Sequence, residues 1–116
     1  MKIIVAGGRD FDNYKFLCER LDFLFQNIHP TIICGEAKGA DSLGKRYAQE
    51  KGLETMSFPA QWDKYGKSAG YRRNEEMGAV ADALVAFWDG KSKGTKHMID
   101  YMLKLGKKVK VVRYVR

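Results

Sequence analysis

Short apolar runs alternate along this chain with stripes of apolar residues at helical spacing, and most runs end at glycine or proline. A short apolar run closed by such a residue is typical of a buried strand, whereas apolar residues three and four apart are typical of a helix. The predicted strands are Lys2–Ala6, Thr31–Cys34, Glu54–Phe58, Ala83–Phe87 and Val109–Val115. This alternation restricts the chain to folds in which each strand is followed by a crossover.

The segments between the strands predict the helices. The first helix has an apolar stripe from Tyr14 to Ile28, with Asp12 or Asn13 as the N-cap. A second stripe begins at Ala40 and ends at Gly52. The remaining predictions are a loop over Ala60–Gly70, a helix over Tyr71–Ala81 and a helix over Thr95–Leu105.

Strands that alternate with helices imply right-handed crossovers and a parallel sheet covered on both faces. With 116 residues and no break in composition, the chain has the length of one domain. We therefore expect a single Rossmann-like α/β domain over residues 1–116, with a five-stranded, mainly parallel sheet and helices on both faces.

Glycine-rich turns follow the first, second and fourth predicted strands, and each turn precedes a helix. Glycine allows a ligand to approach the main chain closely, and a helix N-terminus offers unpaired N–H groups and a positive dipole end. In parallel sheets, ligands bind beyond the carboxyl ends of the strands. The three turns are therefore expected to converge on one edge and to hold a phosphate or another anion.

The first two turns supply glycines, charges and carboxylates. In the first turn, Arg9 is a candidate for pairing with a phosphate, and Asp10 is a candidate for a helix cap or for a ribose hydroxyl. In the second turn, Lys38 can supply charge, and Asp41 can cap the helix or hold a hydroxyl. The other candidate binding residues of these turns are Gly7, Gly8, Gly35, Gly39 and Ala40.

The third turn and the helix before the fourth strand complete the candidate site. Small residues and hydroxyls that precede a helix suit anion capture, and Arg73 with Asn74 is placed to reach over the ligand. Trp62, Tyr65 and Trp88 are candidates for stacking on a base. The third turn contributes Asp89, Gly90, Ser92, Gly94 and Thr95.

Composition narrows the classes of function. The chain has 21 Lys and Arg against 14 Asp and Glu, a net charge of +7, which favours anionic partners such as nucleotides or nucleic acid. No apolar run approaches the roughly 20 residues that cross a membrane. Met1-Lys2 leads directly into a strand, so no secretory signal is expected and a cytoplasmic location is predicted. The sequence predicts no metal site and no dedicated cofactor.

The turns in combination resemble the YspA/YpsA-related branch of the SLOG superfamily, which groups the DNA-processing protein A fold with the lonely-guy phosphoribohydrolases. The resemblance is carried by Gly7–Phe11, Gly35–Asp41, Arg73-Asn74 and Trp88–Thr95. It implies a Rossmann-like fold and a nucleotide or nucleotide-derived ligand, with a role as a sensor or as a ligand-processing protein. It also implies a tendency to form homo-oligomers, and an origin in bacteria or phages.

One departure from the superfamily bears on catalysis. Lonely-guy enzymes carry a Gly-Thr pair followed three residues later by a glutamate that takes part in N-glycosidic cleavage. Here the pair is Gly94-Thr95 and the glutamate position is Met98. A thioether neither accepts a proton nor stabilises an oxocarbenium ion as a carboxylate does. Hydrolysis of a nucleotide and binding of single-stranded nucleic acid are the two alternatives to ligand binding without catalysis.

The apolar surface also predicts assembly. Five residues, Phe16, Phe23, Met98, Tyr101 and Met102, represent more apolar surface than one small layer is expected to cover. Phe23 lies off the main stripe of the first helix. We expect at least a dimer packed through helices. The alternative is a monomer in which Phe23 folds over the loop at Ala60–Gly70.

Overall fold

The computed structural model describes residues 1–115. It contains five strands, β1 (Lys2–Gly7), β2 (Thr31–Cys34), β3 (Thr55–Ser57), β4 (Ala83–Trp88) and β5 (Lys108–Arg113), and five helices, α1 (Tyr14–Leu24), α2 (Ala40–Lys51), α3 (Trp62–Tyr65), α4 (Ala69–Val80) and α5 (Lys93–Lys104). Every strand pair is parallel, in the order β3-β2-β1-β4-β5. The expected α/β fold is confirmed, and the sheet is parallel throughout. Arg116, the last residue of the expected domain, lies outside the described residues.

Alternation along β1 divides the core into two layers. Ile3 and Val5 pack with α1 and α2, whereas Ile4 and Ala6 pack with α4 and α5 on the opposite face. All four side chains are buried because β1 is the central strand and helices cover it on both sides. The expected helices on both faces are therefore confirmed.

Strand order fixes where a ligand crevice forms. After β1 the chain moves outward through β2 to β3, and it then returns to place β4 on the other side of β1. The loops that leave β1 and β4 consequently run to opposite faces of the sheet. A crevice opens between their starting points, beyond the carboxyl ends of the two strands.

The element bounds differ modestly from the sequence prediction. Helix α1 ends at Leu24, four residues before the predicted Ile28, which is exposed. Its N-cap is Asn13, whose side-chain oxygen accepts a hydrogen bond from the Phe16 N–H at 3.0 Å. Strands β3 and β5 are shorter than predicted. Strand ends depend on pairing partners, which a single sequence does not reveal.

The prediction of a loop over residues 60–70 was wrong, because the middle of this segment is helical. It contains α3 and a 3₁₀ turn, Gly66–Ser68, which leads directly into α4. These turns are too short to show a helical hydrophobic period, so the sequence pattern does not distinguish them from a loop. The segment is therefore folded into short helical turns rather than extended as a loop.

The prediction that five apolar side chains exceed what one chain can cover was wrong for two of them, the methionines of α5. Met98 and Met102 are fully buried against the sheet within one chain. Phe23 is 62% exposed, so it does not fold over the segment at 60–70, and the Arg20 guanidinium lies 5.7 Å from its ring centre. In the described part of the chain, no helix has the length and hydrophobicity that crossing a membrane requires.

Candidate functional site

A cleft of about 580 Å³ opens at the carboxyl ends of β1 and β4. This volume lies in the range that small-molecule sites occupy. The cleft is lined by eleven of the predicted residues, Gly7, Gly8, Arg9, Asp10, Asp41, Arg73, Asn74, Asp89, Ser92, Gly94 and Thr95. The other five, Gly35, Lys38, Gly39, Ala40 and Gly90, lie outside its wall. The sequence-predicted turns therefore meet at one edge of the sheet.

The first turn is shaped by close packing at the end of β1. The Gly8 N–H donates to the Phe87 carbonyl at 3.1 Å, and a Cβ on Gly7 would lie 2.2 Å from that same oxygen. Asp10 is not the helix cap. Its Oδ1 accepts a hydrogen bond from the Tyr114 hydroxyl at 2.7 Å, and this tyrosine covers the turn. Tyr114 follows the last strand, so its position over the first turn was not visible in the sequence.

The second turn packs onto the first. The Ala40 N–H donates to the Gly8 carbonyl at 3.2 Å. Gly39 has φ 79°, and a Cβ there would lie 2.2 Å from the Gly8 oxygen. Gly39, rather than Asp41, is the N-cap of α2. Gly39 and Ala40 thus join the two turns, which accounts for their place outside the cleft wall.

Asp41 links the ends of two strands. Its side chain is only 4% exposed and is hydrogen-bonded to the backbone of Gly7, Gly35 and Ala37. Burial raises the pKa of this carboxyl from 3.8 to about 6, although the Arg73 charge and the backbone hydrogen bonds act in the opposite direction. Asp41 therefore acts first as a structural link at the base of the cleft.

Arg73 and Asn74 connect α4 to the second and third turns. Arg73 donates to the Gly35 carbonyl and, at 3.1 Å, to Asn74 Oδ1, and burial lowers the pKa of its guanidinium. The Asn74 amide donates to the Gly94 carbonyl at 3.2 Å and lies 3.3 Å from His97 Nδ1. These contacts fix α4 relative to the start of α5.

The third turn is organised by Asp89. Its Oδ1 accepts hydrogen bonds from the N–H groups of Lys91 and Ser92, at 2.8 and 2.9 Å, and these bonds lower the pKa of the carboxyl. Ser92 is the N-cap of α5, yet within residues 1–115 its side chain makes no capping hydrogen bond to the helix backbone. Its hydroxyl instead lies 3.2 Å from that of Thr95. Gly90 lies beneath the Arg113 side chain.

The start of α5 opens directly onto the cleft. Gly94 lines the cleft, and a Cβ at this position would meet nothing within 4 Å among the described residues. The first-turn N–H groups of a helix have no partner inside the helix, and they carry the positive end of its dipole. The geometry at Ser92–Thr95 therefore suits an anionic group.

Of the three aromatic residues proposed for stacking, Trp62 lies in the cleft wall, where it is half exposed. The Trp88 indole instead donates to the Ser92 carbonyl at 3.1 Å, and the Arg113 guanidinium lies over its ring. Tyr65 packs against Arg72. Sequence reasoning missed the basic and aromatic side chains that the cleft receives from the segment at 60–71 and from the third turn, namely Lys67, Tyr71 and Lys91.

Two observations bear on chemistry in the cleft. Met98, which stands at the lonely-guy glutamate position, lines the cleft, and it is 1% exposed. Among residues 1–115, no group of three or more His, Cys, Asp or Glu side chains is arranged to hold a metal ion.

Comparison with solved structures defines the fold class. DNA processing protein A from Streptococcus pneumoniae superposes on 97% of this chain with a TM-score of 0.79 at 16% identity. The chain spans about half the length of that protein, with 50% of it covered. The structural genomics target TM1055 gives a TM-score of 0.70 at 19% identity, over 93% of this chain and 71% of the other. Both likenesses place the chain among Rossmann-like proteins.

Sequence comparison defines the family within that class. A family model described as the YspA, cpYpsA-related SLOG family matches residues 1–65. The Gene 61 protein of Mycobacterium phage D29 is 31% identical over 113 residues, which cover 90% of each chain. The chain belongs to the YspA, cpYpsA-related SLOG family, as the combination of turns indicated.

Proposed function

We propose that this protein binds a nucleotide or nucleotide-derived ligand in the cleft, with a phosphate at the N-terminus of α5. The observation that carries the proposal is the open first turn of α5 beside Gly7 and Gly8, with the exposed Arg9 side chain on the same wall. A helix N-terminus, close backbone approach and a guanidinium form a set that recognises phosphate.

The second turn is a poorer phosphate site. Its Ala40 N–H already donates to the Gly8 carbonyl, and the Asp41 carboxyl already occupies backbone donors of the turn. Above its pKa of about 6, Asp41 also places a negative charge at the base of the cleft. The proposed phosphate position is therefore the third turn, and the second turn supports it from below.

The remaining walls suit a sugar and a base. The Trp62 ring is half exposed at the cleft, and Tyr71 lines the same side. An aromatic face stacks on any nucleobase. Family membership and the superfamily's expected ligands support the same assignment, as part of a sensor or of a ligand-processing protein. The Cys18 and Cys34 thiols are free, which fits the reducing conditions of a cytoplasmic location.

Isothermal titration with nucleoside monophosphates tests this proposal. Arg9→Ala is expected to weaken binding roughly ten-fold, because a charge-assisted contact to phosphate is lost. Lys104→Ala is the matched control, because it removes the same charge from the far end of α5. Equal affinities of both variants and the wild type would place the phosphate elsewhere. Failure of the wild type to bind any nucleotide would reject the function.

Hydrolysis of the ligand by the lonely-guy route is expected to be weak or absent. The glutamate position holds a buried thioether, Met98, which cannot exchange a proton. Base release from nucleoside monophosphates, followed by chromatography, measures the activity. Turnover on the order of 1 s⁻¹, within the usual range of enzymes, would contradict the expectation and favour the hydrolase.

Nucleic acid is the second candidate ligand, on the ground of the +7 net charge. The name of DNA processing protein A, a structural neighbour, points in the same direction. Binding through several phosphates would fall steeply with salt, whereas one mononucleotide in a cleft depends on salt weakly. Titration of a single strand at rising salt separates the two.

A homo-oligomer packed through the face of α1 that carries Phe23 also belongs to the proposal. The exposed Phe23 ring supports it, as does the tendency of SLOG relatives to assemble. Light scattering over a range of concentrations is the measurement. A mass that stays at one chain up to high micromolar concentration would exclude this assembly.

A further inference from the structure

A second cleft of about 320 Å³ adjoins the first. Its own walls come from the loops after β2 and β3, namely Gly35, Glu36, Lys38, Pro59 and Ala60. The two clefts share Arg9, Ala37, Trp62 and Arg73. Because β4, β1, β2 and β3 are neighbours in the sheet, the clefts form one trough along the carboxyl ends of four strands.

The second cleft is cationic. Lys38, Arg9 and Arg73 line it. The acidic side chain in its wall, Glu36, is paired with Lys45, whose Nζ lies 2.8 Å from Glu36 Oε1. Of the three cations, Arg73 also interacts with the buried Asp41 carboxyl behind the cleft wall. Lys38 and Arg9 add two further positive charges, so the net field in the second cleft is positive and favours an anionic group.

The junction between the clefts combines charge with an aromatic face. Arg9 and Arg73 line both clefts, and the half-exposed Trp62 ring also borders both. A phosphate linkage at this junction would meet guanidinium groups, and a base on either side would reach the indole.

We propose that the ligand of this site is a dinucleotide, with one nucleotide unit in each cleft and the phosphate linkage between Arg9 and Arg73. Lys38 then contacts the unit in the second cleft and makes no contact with a mononucleotide in the first. The inference rests on the proposed function, since it extends the same site from one nucleotide to two.

A long nucleic-acid strand fits the arrangement less well. Proteins that hold single strands carry cations along a continuous groove with several stacking platforms. Here the guanidinium groups are gathered at the junction, and the trough ends at β3, which is the edge strand of the sheet. These features favour a ligand of two units.

The test compares adenosine monophosphate with two dinucleotides, 5′-phosphorylated diadenylate and diadenosine diphosphate, by isothermal titration at constant ionic strength. At least one dinucleotide is expected to bind roughly ten-fold more tightly than the monophosphate. Lys38→Ala should remove most of this gain and leave affinity for the monophosphate unchanged. Lys104→Ala, which removes an exposed lysine remote from both clefts, should keep the gain.

The outcomes separate the two proposals. If the monophosphate binds but neither dinucleotide gains affinity, the second cleft is not a nucleotide subsite and the proposed function stands. If Lys38→Ala weakens monophosphate and dinucleotide equally, the two-unit assignment is also overturned. A long deoxyadenylate strand that binds far more tightly than either dinucleotide would assign the trough to nucleic acid. Absence of binding by every nucleotide would overturn both proposals.

Discussion

The second and third glycine turns are alike in sequence, yet they differ in what their backbone groups contact. The second turn is closed: Ala40 donates to Gly8, and the buried Asp41 carboxyl accepts from surrounding main chain. The third turn is open. The Asp89 carboxylate accepts hydrogen bonds from N–H groups of its own loop, and Gly94 lines the cleft with no described atom within 4 Å of a Cβ placed on it. A glycine next to the start of a helix can therefore allow close packing of two turns or leave room for a ligand. Which of the two it does depends on whether another part of the chain packs against it.

Substitution of Gly39 is expected to have the largest effect on stability. In Gly39→Val, a side chain would be forced into φ 79° and against the Gly8 carbonyl, so we expect a loss of roughly 3 kcal/mol or more in the free energy of unfolding. Chemical denaturation measures it. Wild-type stability in this variant would mean that the second turn is as open as the third.

The buried Asp41 predicts a pH dependence that the half-buried Asp89, whose pKa is lowered, does not share. Its pKa is about 6 in the folded protein against 3.8 when solvated, and each unit of pKa difference between the two states corresponds to about 1.4 kcal/mol. Between pH 4 and 6 the folded state holds a proton that the unfolded state has lost, so this group's contribution to stability falls as pH rises.

The comparison with Asp41→Asn isolates that contribution. The free energy of unfolding of the wild type, minus that of the variant, is expected to fall by roughly 2 kcal/mol between pH 4 and pH 7. Denaturant titrations at several pH values give the difference curve. A flat curve would show that the Asp41 carboxyl is effectively solvated.

Gly94→Val is the counterpart of Gly39→Val in the open turn. A Cβ at this position meets no described atom within 4 Å, and valine in a first helical turn changes stability by less than about 1 kcal/mol. It does enter the proposed phosphate position, so affinity for adenosine monophosphate is expected to fall roughly ten-fold. Unchanged affinity together with unchanged stability would remove the phosphate from this turn.

Periodicity and turn chemistry were sufficient to predict the sheet, both helical layers and the edge where the glycine turns meet. The strand pattern is visible because β1 and β4 are buried runs, and strand–helix alternation permits few topologies. The α3 segment was missed because a single helical turn has no period to detect. Its Trp62 was nevertheless a candidate on chemical grounds.

The roles of individual site residues were harder to predict. Asp41 has the sequence position of a cap, but the first turn packs over it and makes it a buried link. Tyr114 reaches Asp10 across 104 residues of sequence. Such contacts depend on the assembled fold, so no local pattern in the chain reports them.

An amide-resolved titration with adenosine monophosphate tests the difference between the two turns most directly. In ¹H–¹⁵N correlation spectra, the amides of Lys93, Gly94 and Thr95 are expected to show the largest shifts, because their N–H groups would face the phosphate. The amides of Gly35 and Ala40 should move little, because the first donates to the Asp41 carboxyl and the second to the Gly8 carbonyl. The largest shifts at Gly35 and Ala40, with Lys93–Thr95 unmoved, would contradict the account.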